Sequence, residues 1–301
     1  MGAAGGFAVT AVDLLSQVEQ VTGTVASEAE QRRGGRGILD FLIRVLVGLA
    51  RAGVSIGIVI FAWWAFLEYF NVSAFSGKGP TDVWHYLFSG PQASAHRTMM
   101  MDESKITLRD ASLGLVAGTI IAIGAAIAFN LWRPVERALM PIAMVLRSVP
   151  LIAMTPLIAI IFGRNLRTVT VIASIVTFFP TLVNVTLALR STPRESIDLL
   201  RAYGASRFTT LRKVQMPNAL PALFASLRVA APLALVGAML AEWLATGEGI
   251  GSKILTGGAL SDYAAVWTRV VLVTLYSIIL YQVIGIIEGR VLARYAPNYG
   301  R

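Results

Sequence analysis

Long apolar runs without charge alternate along this chain with short charged stretches. No Asp, Glu, Lys or Arg stands between Asp110 and Arg133, between Arg167 and Arg190, or between Arg269 and Glu288. Each run is close to the ~20 residues that a helix needs to cross a bilayer. The pattern predicts six helical spans, roughly 48–69, 111–131, 139–162, 168–189, 218–244 and 268–288. Arg51 and Glu68 crowd the ends of the first, which makes it the weakest. A buried helix of a soluble core explains one such run but not the whole series. The fold class is therefore all-α, a polytopic membrane protein.

Two features inside the spans bear on packing. Gly114, Gly118, Ala122 and Ala126 recur at every fourth position of the second span. Small residues at that spacing let helix backbones approach closely where lipid supplies no hydrophobic drive, so the ladder reads as a packing face. Pro141, Pro150 and Pro156 fall in the third span and Pro180 in the fourth. Each removes a backbone donor and predicts a kink, which spans tolerate where neighbours or water satisfy the freed groups.

Composition agrees with the pattern. Of 301 residues 55% are hydrophobic and 14% charged, with a mean hydropathy of +0.67, against about a quarter charged in soluble domains. Cysteine is absent, which excludes disulfides, thiolate metal sites and cysteine nucleophiles. His85 and His96, the two histidines, lie in a polar stretch and predict no metal site.

The formal charge of +9 would suit nucleic acid, but its distribution points to topology. An even number of spans puts both termini on one side. With the termini inside, basic residues of the cytoplasmic segments (Arg32, Arg33, Arg36, Arg133, Arg137, Arg190 and others through Arg301) outnumber those outside. The positive-inside rule favours that orientation, although Arg164 and Arg167 go against it locally. The expected organisation is a cytoplasmic tail and entry segment over 1–44, a transmembrane domain over 45–292, and a cytoplasmic tail over 293–301. Residues 70–110 form an outside loop and 190–217 a cytoplasmic one. The tail lacks the apolar core of a cleavable signal peptide.

The segment Arg190–Pro221 carries the most information. Thr192, Pro193 and Glu195 fit an N-cap, a first-turn proline and a capping-box acid. A helix to about Tyr203 follows, with Gly204 placed to close it in a left-handed cap. Ser206 can cap a second short helix that ends before Pro217. Ile197, Leu200 and Tyr203 recur at helical spacing inside this charged loop, and a docked partner protein is the natural way to cover them.

This segment resembles the EAA loop of binding-protein-dependent ABC importer permeases, whose pattern is Glu-Ala-Ala, three residues, Gly, nine residues, Ile-x-Leu-Pro. Gly204, Val214, Met216 and Pro217 keep that spacing, and Pro221 follows. Asp198, Leu199 and Leu200 stand in place of the triplet, so the acid is kept and both alanines are replaced. The runs LRSVPLIAMTPLIAIIFG (146–163) and LRVAAPLALVGAMLAEWLATGEGIG (227–251) are similar to the nitrate/sulfonate/taurine branch.

The resemblance implies a type I ABC importer transmembrane domain in the bacterial inner membrane. It further implies two ATPase subunits, a second permease that is identical or paralogous, and an extracytoplasmic solute-binding protein. ATP and Mg would bind the partner ATPase, and this chain would bind no cofactor. It has no phosphate loop, since no Gly-Lys pair is followed by Ser or Thr. Asp198, Leu199, Leu200, Tyr203, Gly204, Ala205, Ser206 and Pro217 would make the ATPase-coupling loop.

Arg147 and Glu242 are the candidate pathway residues. Arg147 stands about nine residues into the third span, roughly 13 Å deep at ~1.5 Å per residue. It would either attract an anion or bond to carbonyls freed by Pro150. The solute class stays open between an organic anion, such as a sulfonate or carboxylate, and a heterocyclic vitamin precursor. The rival function is an ion-gradient-driven secondary transporter or channel. Such proteins commonly bury charged relays in their spans, and here only Arg147 lies clearly inside one.

Overall fold

A computed structural model of the protein describes residues 53–295, and among them every regular element is a helix. The chain divides at Asn71 into two units. The first holds the apolar helix α1 (Gly53–Tyr69). Val54, Ile58, Phe61 and Trp64 on it are all exposed, as suits a helix solvated by lipid or by other helices. Positions 48–52 of the expected first span lie outside the described residues, as do the tail over 1–44 and residues 296–301.

The second unit begins with α2 (Pro80–Trp84), which runs on through a π turn, His85–Ser89. Next come α3 (Ala93–Leu131), α4 (Arg133–Ser148), α5 (Leu151–Phe162) and α6 (Leu166–Arg190). The short α7 (Arg194–Ala202) and α8 (Arg207–Thr210) lead through a π turn, Leu211–Gln215, into α9 (Met216–Ala241). Another π turn, Glu242–Thr246, precedes α10 (Gly249–Ala259) and α11 (Tyr263–Tyr295). Among the described residues four helices are long and apolar enough to cross a membrane: Ala93–Leu131, Leu166–Arg190, Arg207–Thr246 and Tyr263–Arg294.

Three expectations are corrected. The third span is not one kinked helix but a pair, α4 and α5, bent by 105°. Proline drives the residue before it out of the helical region, and Val149 before Pro150 is extended at φ −75°, ψ 127°. Pro141, Pro156 and Pro180 lie inside α4, α5 and α6 without ending them.

The stretch 70–110 is not an open loop either. It contains α2 and the first turns of α3, which starts at Ala93 rather than near 111. The charges that disguise this extension are paired. Asp102 binds Lys105, Arg109 binds Asp110, and buried Glu103 takes both Nε and Nη2 of Arg269 on α11, at 2.8 and 3.0 Å.

Finally, the helix begun at Arg207 does not stop before Pro217 but continues to Thr246. Pro217 sits in the first turn of α9, directly after a π turn, where the bonding register changes and its missing donor is absorbed.

α3, α6 and α9 form the packed centre. All four residues of the small-residue ladder are buried. Ala122, Ala126 and Phe129 meet Leu182, Val185 and Leu189 of α6. Ala111 belongs to a second cluster with Val169, Ile172, Ala234, Leu235 and Ala238. Polar side chains of α6 bond to backbone carbonyls along this seam. Ser174 donates to the Thr170 carbonyl (2.6 Å), and Thr177 donates to the carbonyls of Ala173 (3.2 Å) and Gly114 (3.3 Å). Small residues with hydroxyls on backbone carbonyls are how helices hold together in lipid.

Candidate functional sites: the 190–217 loop and the cavity at the helix bend

At one end of the α6–α9 pair stands the loop 190–217. Its first helix is shorter at the start than the sequence implies. α7 begins at Arg194 after Pro193, and Thr192 does not cap it. Buried Thr192 instead donates to the Leu189 carbonyl (3.2 Å) and accepts from Asn218 (3.3 Å). The far end is closed as the residues predict. Gly204 has φ +76°, its N–H bonds the Arg201 carbonyl at 2.9 Å, and the Ala205 N–H bonds the Leu200 carbonyl at 3.0 Å. That pair of bonds is a Schellman closure. Ser206 then caps α8, its hydroxyl accepting from the Thr209 N–H at 3.2 Å.

This geometry fixes α7 and α8 at a set angle and leaves apolar side chains uncovered. Leu199 is 60% and Tyr203 83% exposed, with Arg194, Arg201, Arg207, Arg212 and Lys213 around them. Ile197 and Leu200 are half-buried. Phe208, in the first turn of α8, is also exposed, at 63%, and sequence reasoning passed over it between Ser206 and Pro217.

The base of the loop is tied to the bundle. Arg190 pairs with Glu136 of α4. Gln215 donates to the Leu189 carbonyl (3.2 Å) and accepts from Asn130 of α3 (2.9 Å). The base of the loop thus contacts the ends of α3, α4 and α6.

The second site is a cavity of about 1060 Å³ at the α4–α5 bend, walled by α3, α4, α5 and α6 with Leu233 of α9. Arg147 lies in the last turn of α4, with its guanidinium carbon 4.6 Å from the centre of the Phe179 ring. Phe129, Phe178 and Met154 line it together with Ser174, Thr170 and Asn184. The lining contains no Asp or Glu.

Glu242 is not part of this wall. It is fully buried at the opposite end of α9 from the 190–217 loop. Its Oε2 accepts from Thr107 Oγ1 (3.0 Å) and from the Gly251 N–H (2.8 Å), and Thr107 in turn accepts from the Ile250 N–H (2.9 Å). An acidic side chain accepting from the Gly251 N–H in the first turn of α10 suits the positive end of that helix. Gly247 and Gly249 supply the turn at φ +80° and +75°, and a side chain at Gly249 would run into the Glu242 carboxylate. Arg164, between α5 and α6, donates to the Ala245 carbonyl at 2.5 Å. The structure thus separates the two candidate pathway residues. Arg147 faces the cavity, and Glu242 fixes the turn into α10. No cluster of side chains able to hold a metal ion occurs among the described residues.

The comparisons with known proteins agree with this architecture. The family of binding-protein-dependent transport system inner membrane components matches residues 114–295. The riboflavin transport system permease protein of Chloroflexus aurantiacus is 35% identical over 55% of this chain and 62% of its own. The formylaminopyrimidine transport permease protein of Halalkalibacterium halodurans is 31% identical over 55% of this chain and 69% of its own. The nitrate import permease protein of Leptolyngbya laminosa is 27% identical over 69% and 83%. In fold, the chain is similar to a chain of the MetNI methionine ABC transporter in an inward-facing conformation. The TM-score is 0.56 at 21% identity, over 65% of this chain and 96% of that one. The chain belongs to the binding-protein-dependent transport inner membrane components, and its role is that of an ABC importer permease.

Proposed function

We propose that this permease pairs with a second permease, takes its ATPase subunits on the 190–217 loop, and receives solute from an extracytoplasmic binding protein. The observation that carries the proposal is the exposed apolar set Leu199, Tyr203 and Phe208 on a loop whose angle is locked at Gly204. Exposed large apolar residues grouped on a charged loop mark a protein-binding surface. When ATP closes the ATPase pair, α7 moves as a rigid lever. The Arg190–Glu136 and Gln215–Asn130 contacts pass that movement to α3, α4 and α6, whose shared cavity then changes the face to which it opens. ATP and Mg act on the partner subunit. The purified chain is expected to show no ATP hydrolysis alone and to co-purify with an ATPase subunit. Robust hydrolysis by this chain, or uptake that survives deletion of every ABC ATPase, would sink the reading in favour of gradient-driven transport.

The basic residues flanking the spans support cytoplasmic termini and a cytoplasmic 190–217 loop in the inner membrane. The lack of cysteine allows a clean test. Ser206→Cys, on the loop, should be labelled by an impermeant thiol reagent only from the cytoplasmic side. Ser94→Cys, in the first turn of α3, should be labelled only from the outside. Labelling of both from one face contradicts the orientation.

The solute falls within the classes carried by relatives, which include nitrate, taurine and aliphatic sulfonates as well as riboflavin and a formylaminopyrimidine by their names.

A further inference from the structure

We propose that the short helix over residues 80–89 is an interfacial membrane anchor, with Trp84 and Phe88 seated among the lipid headgroups at the outer rim of the bundle. The partner is the bilayer surface, and the anchor fixes the depth at which the outer ends of α3 and α11 stand.

Three observations lead to it. First, the segment has two distinct faces. Val83 is buried, and Tyr86 and Leu87 are half-buried against the bundle. The Tyr86 ring stacks on His96 of α3 with centres 3.9 Å apart, and the Tyr86 carbonyl accepts from His96 Nδ1 at 3.0 Å. Arg97 donates to the Leu87 carbonyl at 2.7 Å. On the other face Trp84 and Phe88 are exposed, one turn apart, with their ring centres at 4.5 Å. Two large rings held outward on a tethered helix mark a surface for an apolar partner.

Second, the segment lies at the level where the hydrocarbon ends. The uncharged run 270–287 of α11 measures about 27 Å at ~1.5 Å per residue, close to the thickness of a hydrocarbon core. Arg269, paired with buried Glu103, bounds that run on its outer side. Both residues, with Asp262, lie within electrostatic reach of Tyr86, which sets the 80–89 helix beside that boundary. Other aromatic residues gather there. Phe75 meets Tyr263 edge to face at 5.3 Å, and Trp267 Nε1 donates to the Ser76 carbonyl at 2.8 Å. Tryptophan and tyrosine concentrate at the headgroup level because one end of the ring is apolar and the other polar.

Third, the helix packs along the flanks of α3 and α11. Its contacts His96 and Arg97 lie one turn inside α3, so the segment stands beside that helix and not across its end. Rings on the far side therefore face outward from the bundle. Val270, Leu275, Ile278 and Ile279 of α11 are exposed as well, so the aromatic pair continues the apolar surface of a spanning helix. A solute-binding protein, arriving from the aqueous side, would meet the helix ends first.

The test reads depth. Thr81 is exposed one turn before Trp84, so Thr81→Cys places the chain's single thiol beside the rings without removing either. The purified full-length chain is labelled with bimane and reconstituted into phosphatidylcholine vesicles. These contain a lipid with a nitroxide either at the headgroup or near the end of the acyl chain. Ile279→Cys, midway along the run of α11, and Ser206→Cys, on the 190–217 loop, calibrate the deep and the aqueous extremes. At Thr81→Cys the headgroup nitroxide should quench at least about twofold more than the deep one, as expected of a helix lying in the interface. That order should reverse at Ile279→Cys. Iodide, present on both sides, should quench Thr81→Cys much less than Ser206→Cys. Adding Trp84→Ser and Phe88→Ser should raise iodide quenching toward the Ser206→Cys level and lower quenching by lipid. Exchanging the rings, Trp84→Phe with Phe88→Trp, should keep the parent profile.

Iodide quenching equal to that at Ser206→Cys, with no quenching by either lipid, would assign the face to the aqueous side where a binding protein docks, and would overturn the proposal. Lipid quenching unchanged by the two serines would overturn the role of the rings. The profile with both rings intact decides the depth even if the serine variant fails to fold. Depth reads the same in either leaflet and needs no ATPase, so the result stands apart from the orientation and from the permease assignment.

Discussion

Gly204→Val should leave the protein in the membrane at its normal level, weaken its co-purification with an ATPase subunit, and lower uptake at least about tenfold. The argument is conformational. Gly204 sits at φ +76°, and a Cβ built there meets nothing within 4 Å. Any loss therefore comes from the backbone conformation and not from a clash within the chain. An L-residue in the left-handed region costs roughly 1–2 kcal/mol, and β-branched residues tolerate it worst.

The chain escapes that cost by leaving the left-handed conformation. The bonds from Gly204 to Arg201 and from Ala205 to Leu200 are then lost, and α7 no longer stands at a set angle to α8. Ser206 and its cap on Thr209 lie beyond the break, so α8 survives while the lever does not. Gly204→Asn should behave more mildly, because asparagine is the side chain that best tolerates this region. Normal uptake in Gly204→Val would show that the glycine only closes a turn. Loss of the protein from the membrane would show that the turn is needed for folding rather than for coupling.

That glycine was legible because its signal is local. A helix stop needs one residue at positive φ, and the Pro193–Tyr203 periodicity places it. The spans were legible for a related reason: in lipid every backbone group must find its partner within the helix, so length and apolarity suffice. The small-residue ladder could be read as packing because its period matches one helix face.

What the sequence concealed depends on contacts between distant residues or on competition between similar local signals. Three prolines fall in the third span, and only Pro150 breaks it, because the chain is extended at Val149 while Pro141 and Pro156 are accommodated within helices. The charges over 102–110 read as a loop. Glu103 is satisfied by Arg269, 166 positions away, and no local pattern shows that pairing. Glu242 looked like a pathway residue as a lone acid near a span end. Its partners Thr107 and Gly251 make it the fastener of a turn, and the first of these lies 135 positions off. The loop at 190–217 was thus recoverable almost whole. The cavity was recoverable only at Arg147, since its walls come from five helices that no local pattern brings together.

The largest effect on stability is expected from Gly118→Val, with Gly124→Val on the same helix as its control. Gly118 faces α6 so closely that a Cβ would strike Thr177 Oγ1, lie 2.7 Å from the Ser174 carbonyl oxygen and 3.0 Å from the Ser174 Cα. Two of those atoms are backbone within α6, so no rotamer change can make room. α3 and α6 would have to separate. Overfilling a packed interface commonly costs 1–3 kcal/mol. Here the cost should reach the top of that range or exceed it, because separation also stretches the hydrogen bond from Thr177 to the Gly114 carbonyl and opens the clusters around Ala111 and Ala122. Gly124, by contrast, has nothing within 4 Å of its built Cβ, so valine there projects into free space. The expected result is loss of most of the Gly118→Val protein after detergent extraction, or a thermal midpoint lowered by several degrees in what remains, while Gly124→Val melts like the parent. Equal melting of the two variants would mean that α3 and α6 are not in backbone contact at this seam, and the packed centre described above would have to be redrawn.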